Sequence, residues 1–231
     1  MKIENAALRI LIAFAMGLVI SAVALKLTGV FAISEDSFFP SSSVTHTIMW
    51  FLSMLIILIL TKGEIAEYGF TKGSYRLSPT ILLWAVPTAV VSILGFISSR
   101  PGGDAEGILE LSKLQDIVFA WVYASISEEV FTRGLLQGFL SPLKKFGFHV
   151  FRKWRLSLPV LFSGLYFGFM HIVLIGKFGP AVLFVIVSAS LLGIVAGYYR
   201  EKTGSLIPAI IIHALFNIGG MLPIWLLSWI F

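Results

Sequence analysis

The 231 residues are 58% hydrophobic and only 13% charged, with a mean hydropathy of +0.95; soluble domains carry about 25% charged residues, so a water-soluble globule is excluded and one polytopic membrane domain is indicated. The absence of cysteine excludes disulfides, thiol catalysis and thiolate metal sites. The net charge of +5 does not point to nucleic acid, because the basic residues lie between apolar runs, where they set membrane orientation.

A spanning helix needs about 20 mostly apolar residues. In chain order the candidate spans are 6–25, 45–61, 80–98, 115–140, 157–175, 180–199 and 205–220. The expected fold class is therefore all-α, a transmembrane bundle of seven to eight spans. The eighth depends on the apolar tail 221–231, which either extends the last helix past Gly219-Gly220 and Pro223 or forms a half-span. Three parts are expected: N-terminal helices over 1–114, a catalytic core over 115–220, and the tail.

The first span, with Lys2, Arg9 and Ala22-Val23-Ala24, has features of a cleavable signal. The length of its apolar stretch favours retention as an anchor. Between spans, the 28–43 loop is rich in Ser and Phe. The 62–79 segment, with Gly69, Gly73 and Pro79, reads as an irregular or amphipathic connector. The 141–156 segment alternates basic and aromatic residues and is expected to form a surface helix on anionic headgroups. With the N-terminus cytoplasmic, twelve of the 17 Lys and Arg fall on the cytoplasmic side and four outside, with Arg133 inside a span. This bias predicts a multi-pass protein of the cell membrane in that orientation.

Ionisable groups at membrane depth cost roughly 2.5–3.5 kcal/mol each on insertion scales and usually face the bundle interior. Span 115–140 carries Glu128, Glu129 and Arg133, span 157–175 carries His171, and span 205–220 carries His213 and Asn217. Glu129 and Arg133 stand four apart on one helix face and are expected to form an ion pair that neutralises both. Glu128 lies about 100° around the helix from Glu129, so it is free to face a different cavity. His213 and Asn217, and likewise Phe167 and His171, share the four-residue spacing. Each pair can therefore meet at one spot, with Phe167 buttressing the imidazole. His46 and His149 sit at span or loop edges and are assigned no chemistry. Ser125, Ser127 and Ser163 read as small packing residues.

A carboxylate, two imidazoles and an amide suffice for hydrolysis of an acyl bond by water. Glu128 can take a proton from water that His171 orients. His213 and Asn217 can donate to the developing oxyanion, each donor being worth about 2.7–4 kcal/mol in a dry site.

Three motifs carry a resemblance: Glu128-Glu129-Val130-Phe131-Thr132-Arg133 looks like EExxxR, Phe167 to His171 like FxxxH, and His213 to Asn217 like HxxxN. Residues 203–209, Thr-Gly-Ser-Leu-Ile-Pro-Ala, resemble the usual lead-in to the last. Together they resemble the CAAX prenyl protease type II and bacteriocin-processing (CPBP, Abi) family of intramembrane endopeptidases. The likeness covers 115–220, and the first hundred residues contribute only generic spans. It implies that Glu128 activates water, that His171 assists, that His213 and Asn217 form the oxyanion site, and that Glu129 and Arg133 are scaffold. The implied partner is a peptide or lipidated-peptide substrate in the bilayer. No cofactor is favoured. The alternative is a zinc ion held by Glu128, His171 and His213 with an open position for water. Two other functions compete with proteolysis: a non-catalytic membrane scaffold or bacteriocin immunity protein, and a transporter with a carboxylate proton relay.

Overall fold

The computed structural model describes residues 5–31, 33–34, 36–73, 112–150 and 154–227, with a few positions between 83 and 90. The expected span 80–98 and the end of the tail therefore lie largely outside the described residues. Among the described residues there are six main helices: α1 (Ala6–Val30), α2 (Ser41–Thr61), α3 (113–139), α4 (Leu158–Met170), α5 (Val182–Thr203) and α6 (Ile207–Leu227). The last runs through Gly219-Gly220 and Pro223, so most of the apolar tail continues α6. Among the described residues α1, α2 and α5 are long and apolar enough to cross a membrane.

Local chemistry sets the helix ends. The Asn5 side chain accepts from Leu8 N–H at 3.1 Å to open α1. Ser112 and Gln115 form a reciprocal capping box at the start of α3. Ser157 caps α4, with proline in its first turn, where the missing N–H is not needed. Lys62 takes a left-handed conformation to close α2. α3 is one continuous helix with two wide π-type stretches, Asp116–Tyr123 and Val130–Leu136, on either side of Glu128 and Glu129. Such π turns recur at functional sites.

α1 turns Ala13, Gly17, Ile20 and Ala24 inward while large residues such as Leu11 and Val19 stay exposed on its outer face. That pattern suits a helix bathed in lipid on one side. Ile20, Met49, Ile57, Phe131, Leu135 and Tyr166 join α1, α2, α3 and α4 in one core. Phe167, Ala189, Leu192 and Ile212 join α4, α5 and α6 in another.

α4 and α5 meet with their backbones almost in contact. A Cβ at Gly164 would lie 2.6 Å from Ile194 N, and one at Gly168 would overlap the Ser190 hydroxyl. Small residues permit this approach, which helices in lipid use to gain packing energy. Gly164→Val is accordingly expected to destabilise the protein by roughly 1–3 kcal/mol or more, to be read as a lowered melting temperature in detergent.

The 141–156 segment departs from the expected surface helix. After a short turn at Ser141–Leu143 it forms an antiparallel hairpin, β1 (Gly147–Val150) with β2 (Trp154–Ser157), in register Gly147↔Ser157 and Val150↔Trp154. Period-two alternation is the signature of a strand rather than a helix, which accounts for the difference. The Arg155 guanidinium donates to the Lys144 and Lys145 carbonyls at 2.8 and 2.9 Å, closing the base of the hairpin. Ser157 Oγ donates to Glu201 at 2.6 Å and ties it to α5. The connector after α2 contains one tight turn, Ile65–Tyr68, and lies under the α5–α6 junction. It is held there by Arg200 donating to the Glu67 carbonyl at 2.8 Å and Ser205 Oγ to the Thr71 carbonyl at 2.6 Å.

Candidate active site

α3 brings two adjacent carboxylates into the bundle. Glu129 is fully buried, and its Oε1 accepts from Arg133, also fully buried, at 2.9 Å one turn along the helix. The guanidinium also donates to the Thr132 hydroxyl and lies 4.5 Å over the Phe167 ring. The same Glu129 oxygen accepts from His213 Nδ1 on α6 at 2.9 Å. The ion pair thus also fixes an imidazole.

Glu128 lines a cavity that the fully buried Glu129 does not, yet the two carboxylates share one imidazole. The His213 ring stands between them, with Nδ1 on Glu129 and Nε2 3.6 Å from Glu128 Oε2. One imidazole bridges two carboxylates that an ideal helix sets about 100° apart. The cluster holds two carboxylates and one guanidinium, so a proton on one imidazole would balance its charge.

The other oxygen of Glu128 meets a residue that sequence reasoning left without chemistry. His46 Nε2, on α2, lies 3.1 Å from Glu128 Oε1. The N-terminal helices are therefore not generic spans. The available signal was weak: an isolated histidine near the start of an apolar run, 82 residues from its partner.

His171 is the first residue beyond α4. The helix tightens into a 3₁₀ turn there, His171–Leu174, and the His171 backbone N–H turns to Gly168 and Phe169. The Phe167 carbonyl, one of the orphan acceptors of a helix end, instead receives the His171 ring at Nδ1, 2.7 Å away. A carbonyl only accepts, so Nδ1 carries the proton and the Nε2 of the neutral ring is an acceptor. Phe167 packs edge-on against both His171 and His213, with centroids 5.1 and 5.2 Å apart. Asn217 is held from α3: its amide donates to the Ala120 carbonyl at 2.9 Å and to Ser125 Oγ at 3.3 Å. Ser125 thus has a polar partner as well as a packing role. Donation from Asn217 to a reacting group requires release of one of these bonds, and the longer one to Ser125 is the weaker.

Two apolar cavities meet at His171. One, of about 460 Å³, lies among α1, α2 and α4 and is lined by His46, Glu128 and His171. The other, of about 470 Å³, lies among α4, α5 and α6 and is lined by His171, His213 and Asn217. Glu128 and the free imidazole nitrogen of His171 thus border the first cavity, and His213 and Asn217 border the second.

The zinc alternative would draw on Glu128, His171 and His213. Among the described residues no three His, Asp or Glu side chains gather closely enough to hold a metal ion. Both oxygens of Glu128 already face imidazoles.

The apolar helices mark an integral membrane protein, and its bundle holds a buried carboxylate–imidazole cluster. Residues 110–219 match the family model described as type II CAAX prenyl endopeptidase, Rce1-like. This part of the chain is similar to the Rce1-like family, whose members are described as type II CAAX prenyl endopeptidases. Comparisons with curated proteins and with solved structures give no match.

Proposed function

We propose that this chain is an intramembrane endopeptidase that hydrolyses a peptide bond of a prenylated CAAX-like or leader-peptide substrate with water activated by Glu128. The single observation that carries the reading is the junction of two cavities at His171, with the base on one side and hydrogen-bond donors on the other. Glu128 takes a proton from a water that also donates to His171 Nε2. The hydroxide oxygen forms a bond to the scissile carbonyl carbon, and the carbonyl π pair moves onto its oxygen. His213 and Asn217 donate to that oxyanion. The C–N bond breaks as the proton held by Glu128 passes to the amide nitrogen and the oxyanion pair re-forms the carbonyl; the amine leaves, and the new carboxylic acid gives up its proton to Glu128 or to solvent. Glu129, Arg133 and Phe167 hold His213 and His171 in place. On this reading the chain crosses the cell membrane seven or eight times with its N-terminus in the cytoplasm.

The test is cleavage by purified protein of a panel of farnesylated CAAX peptides, their unprenylated forms and leader peptides. The expected result is cut product from one class, and an inert panel overturns the reading. Because Glu128 itself activates the water, cleavage is expected to persist unchanged in excess chelator. Loss with chelator and recovery with zinc would favour a metal mechanism.

A further inference from the structure

We infer that His46 is a positioning residue for Glu128, supplied to the site by a helix outside the matched domain. This rests on the glutamate reading above.

Among the described residues His46 is the one side chain within hydrogen-bond distance of the Glu128 carboxylate, at 3.1 Å; His213 approaches the other oxygen at 3.6 Å. A carboxylate accepts, so His46 Nε2 carries the proton and donates. The two side chains are 15% and 12% exposed and line one cavity together with His171. An ion pair that served only to join helices would have no reason to open onto that cavity. Glu128 has a flexible side chain, and one fixed oxygen removes its freedom to turn. The tether leaves the second oxygen, and the remaining lone pairs, to meet water. Groups held in productive geometry before the reaction lower the barrier.

The neighbours of His46 hold it in this role. On one side Thr45 Oγ1 lies 2.7 Å from Thr28 Oγ1 of α1. On the other, Thr47 Oγ1 lies 2.6 Å from the Tyr123 hydroxyl of α3. Three consecutive residues of α2 thus reach α1, the Glu128 carboxylate and the wide turn of α3. The His46 ring also packs edge-on to Tyr123, with centroids 6.4 Å apart.

This gives a test that separates donation from packing. H46F keeps an aromatic ring against Tyr123 but has no N–H, whereas H46Q keeps an N–H at the place of Nε2 but loses the ring. With a farnesylated CAAX peptide as probe, H46F is expected to lower kcat about 10- to 100-fold. H46Q should stay within about fivefold of wild type, and KM should stay within about twofold in both. Wild-type kcat in H46F would overturn the proposal, as would a loss carried by KM. An equal loss in both variants with a lowered melting temperature would assign His46 to packing and also overturn it. E128Q run alongside separates the two readings. Full activity in E128Q would remove the glutamate mechanism itself, whereas an inactive E128Q beside a fully active H46F would remove only the role of His46.

Discussion

Glu128→Gln is expected to reduce peptide cleavage about 10³-fold, the middle of the range that a positioned general base supplies, while the protein folds and melts as wild type. The amide has the same shape as the carboxylate. Its oxygen can still accept from His46, 3.1 Å from Oε1 in the parent, and the backbone carbonyl of residue 128 still receives the Thr132 hydroxyl at 2.6 Å. What disappears is the capacity to take a proton from water. Single-turnover cleavage with a melting curve on the same sample checks both halves. Undiminished cleavage would refute the glutamate mechanism. A variant that loses cleavage yet keeps full biological activity would instead favour a scaffold or immunity role.

Arg133→Met is expected to cost about 3–5 kcal/mol of stability, the usual penalty for leaving one partner of a buried ion pair uncompensated. Glu129 and Arg133 are both fully buried, so water cannot take the place of the guanidinium. In a chain of this size the loss corresponds to a fall in melting temperature on the order of 10 °C. Glu129→Gln alone should be similarly harmful, since it strands the cation. The double variant Glu129→Gln/Arg133→Met should recover part of the stability, and the size of that recovery measures the coupling. It should not recover cleavage in full, because a neutral amide at position 129 holds His213 Nδ1, 2.9 Å from the carboxylate in the parent, more weakly than the charged group does. A melting temperature within a degree of wild type for Arg133→Met would contradict the structural role given to the pair.

The three motifs could be read from the sequence because each is local. Residues four apart meet on a helix whatever surrounds them, and the Glu129–Arg133 and Phe167–His171 contacts obey that rule. Long-range contacts have no such signature. His46 reaches Glu128 across 82 residues, and nothing beside it in the sequence marks it. Helical geometry separates Glu128 from Glu129 but gives no sign of their shared imidazole, because His213 presents a nitrogen to each and the bridge depends on where α6 lies. The wide turns of α3 have no compositional mark, so the capture of Asn217 by the Ala120 carbonyl could not be foreseen. The hairpin was legible in principle: its alternation was present in the sequence and was given the wrong period.

The seam between Gly164 and Gly193, where an added Cβ on either residue would strike the other helix's backbone, leaves α4 and α5 no slack. Helices joined so closely cannot roll or slide apart without losing the contact. His171, seven residues beyond Gly164, is therefore mounted on a fixed wall. Among the described residues the opposite wall of the Glu128 cavity is made by α1 and α2. On the proposed glutamate mechanism, any outward displacement of α2 would draw His46 off the carboxylate, 3.1 Å away, so a widened entrance and an armed base would exclude one another.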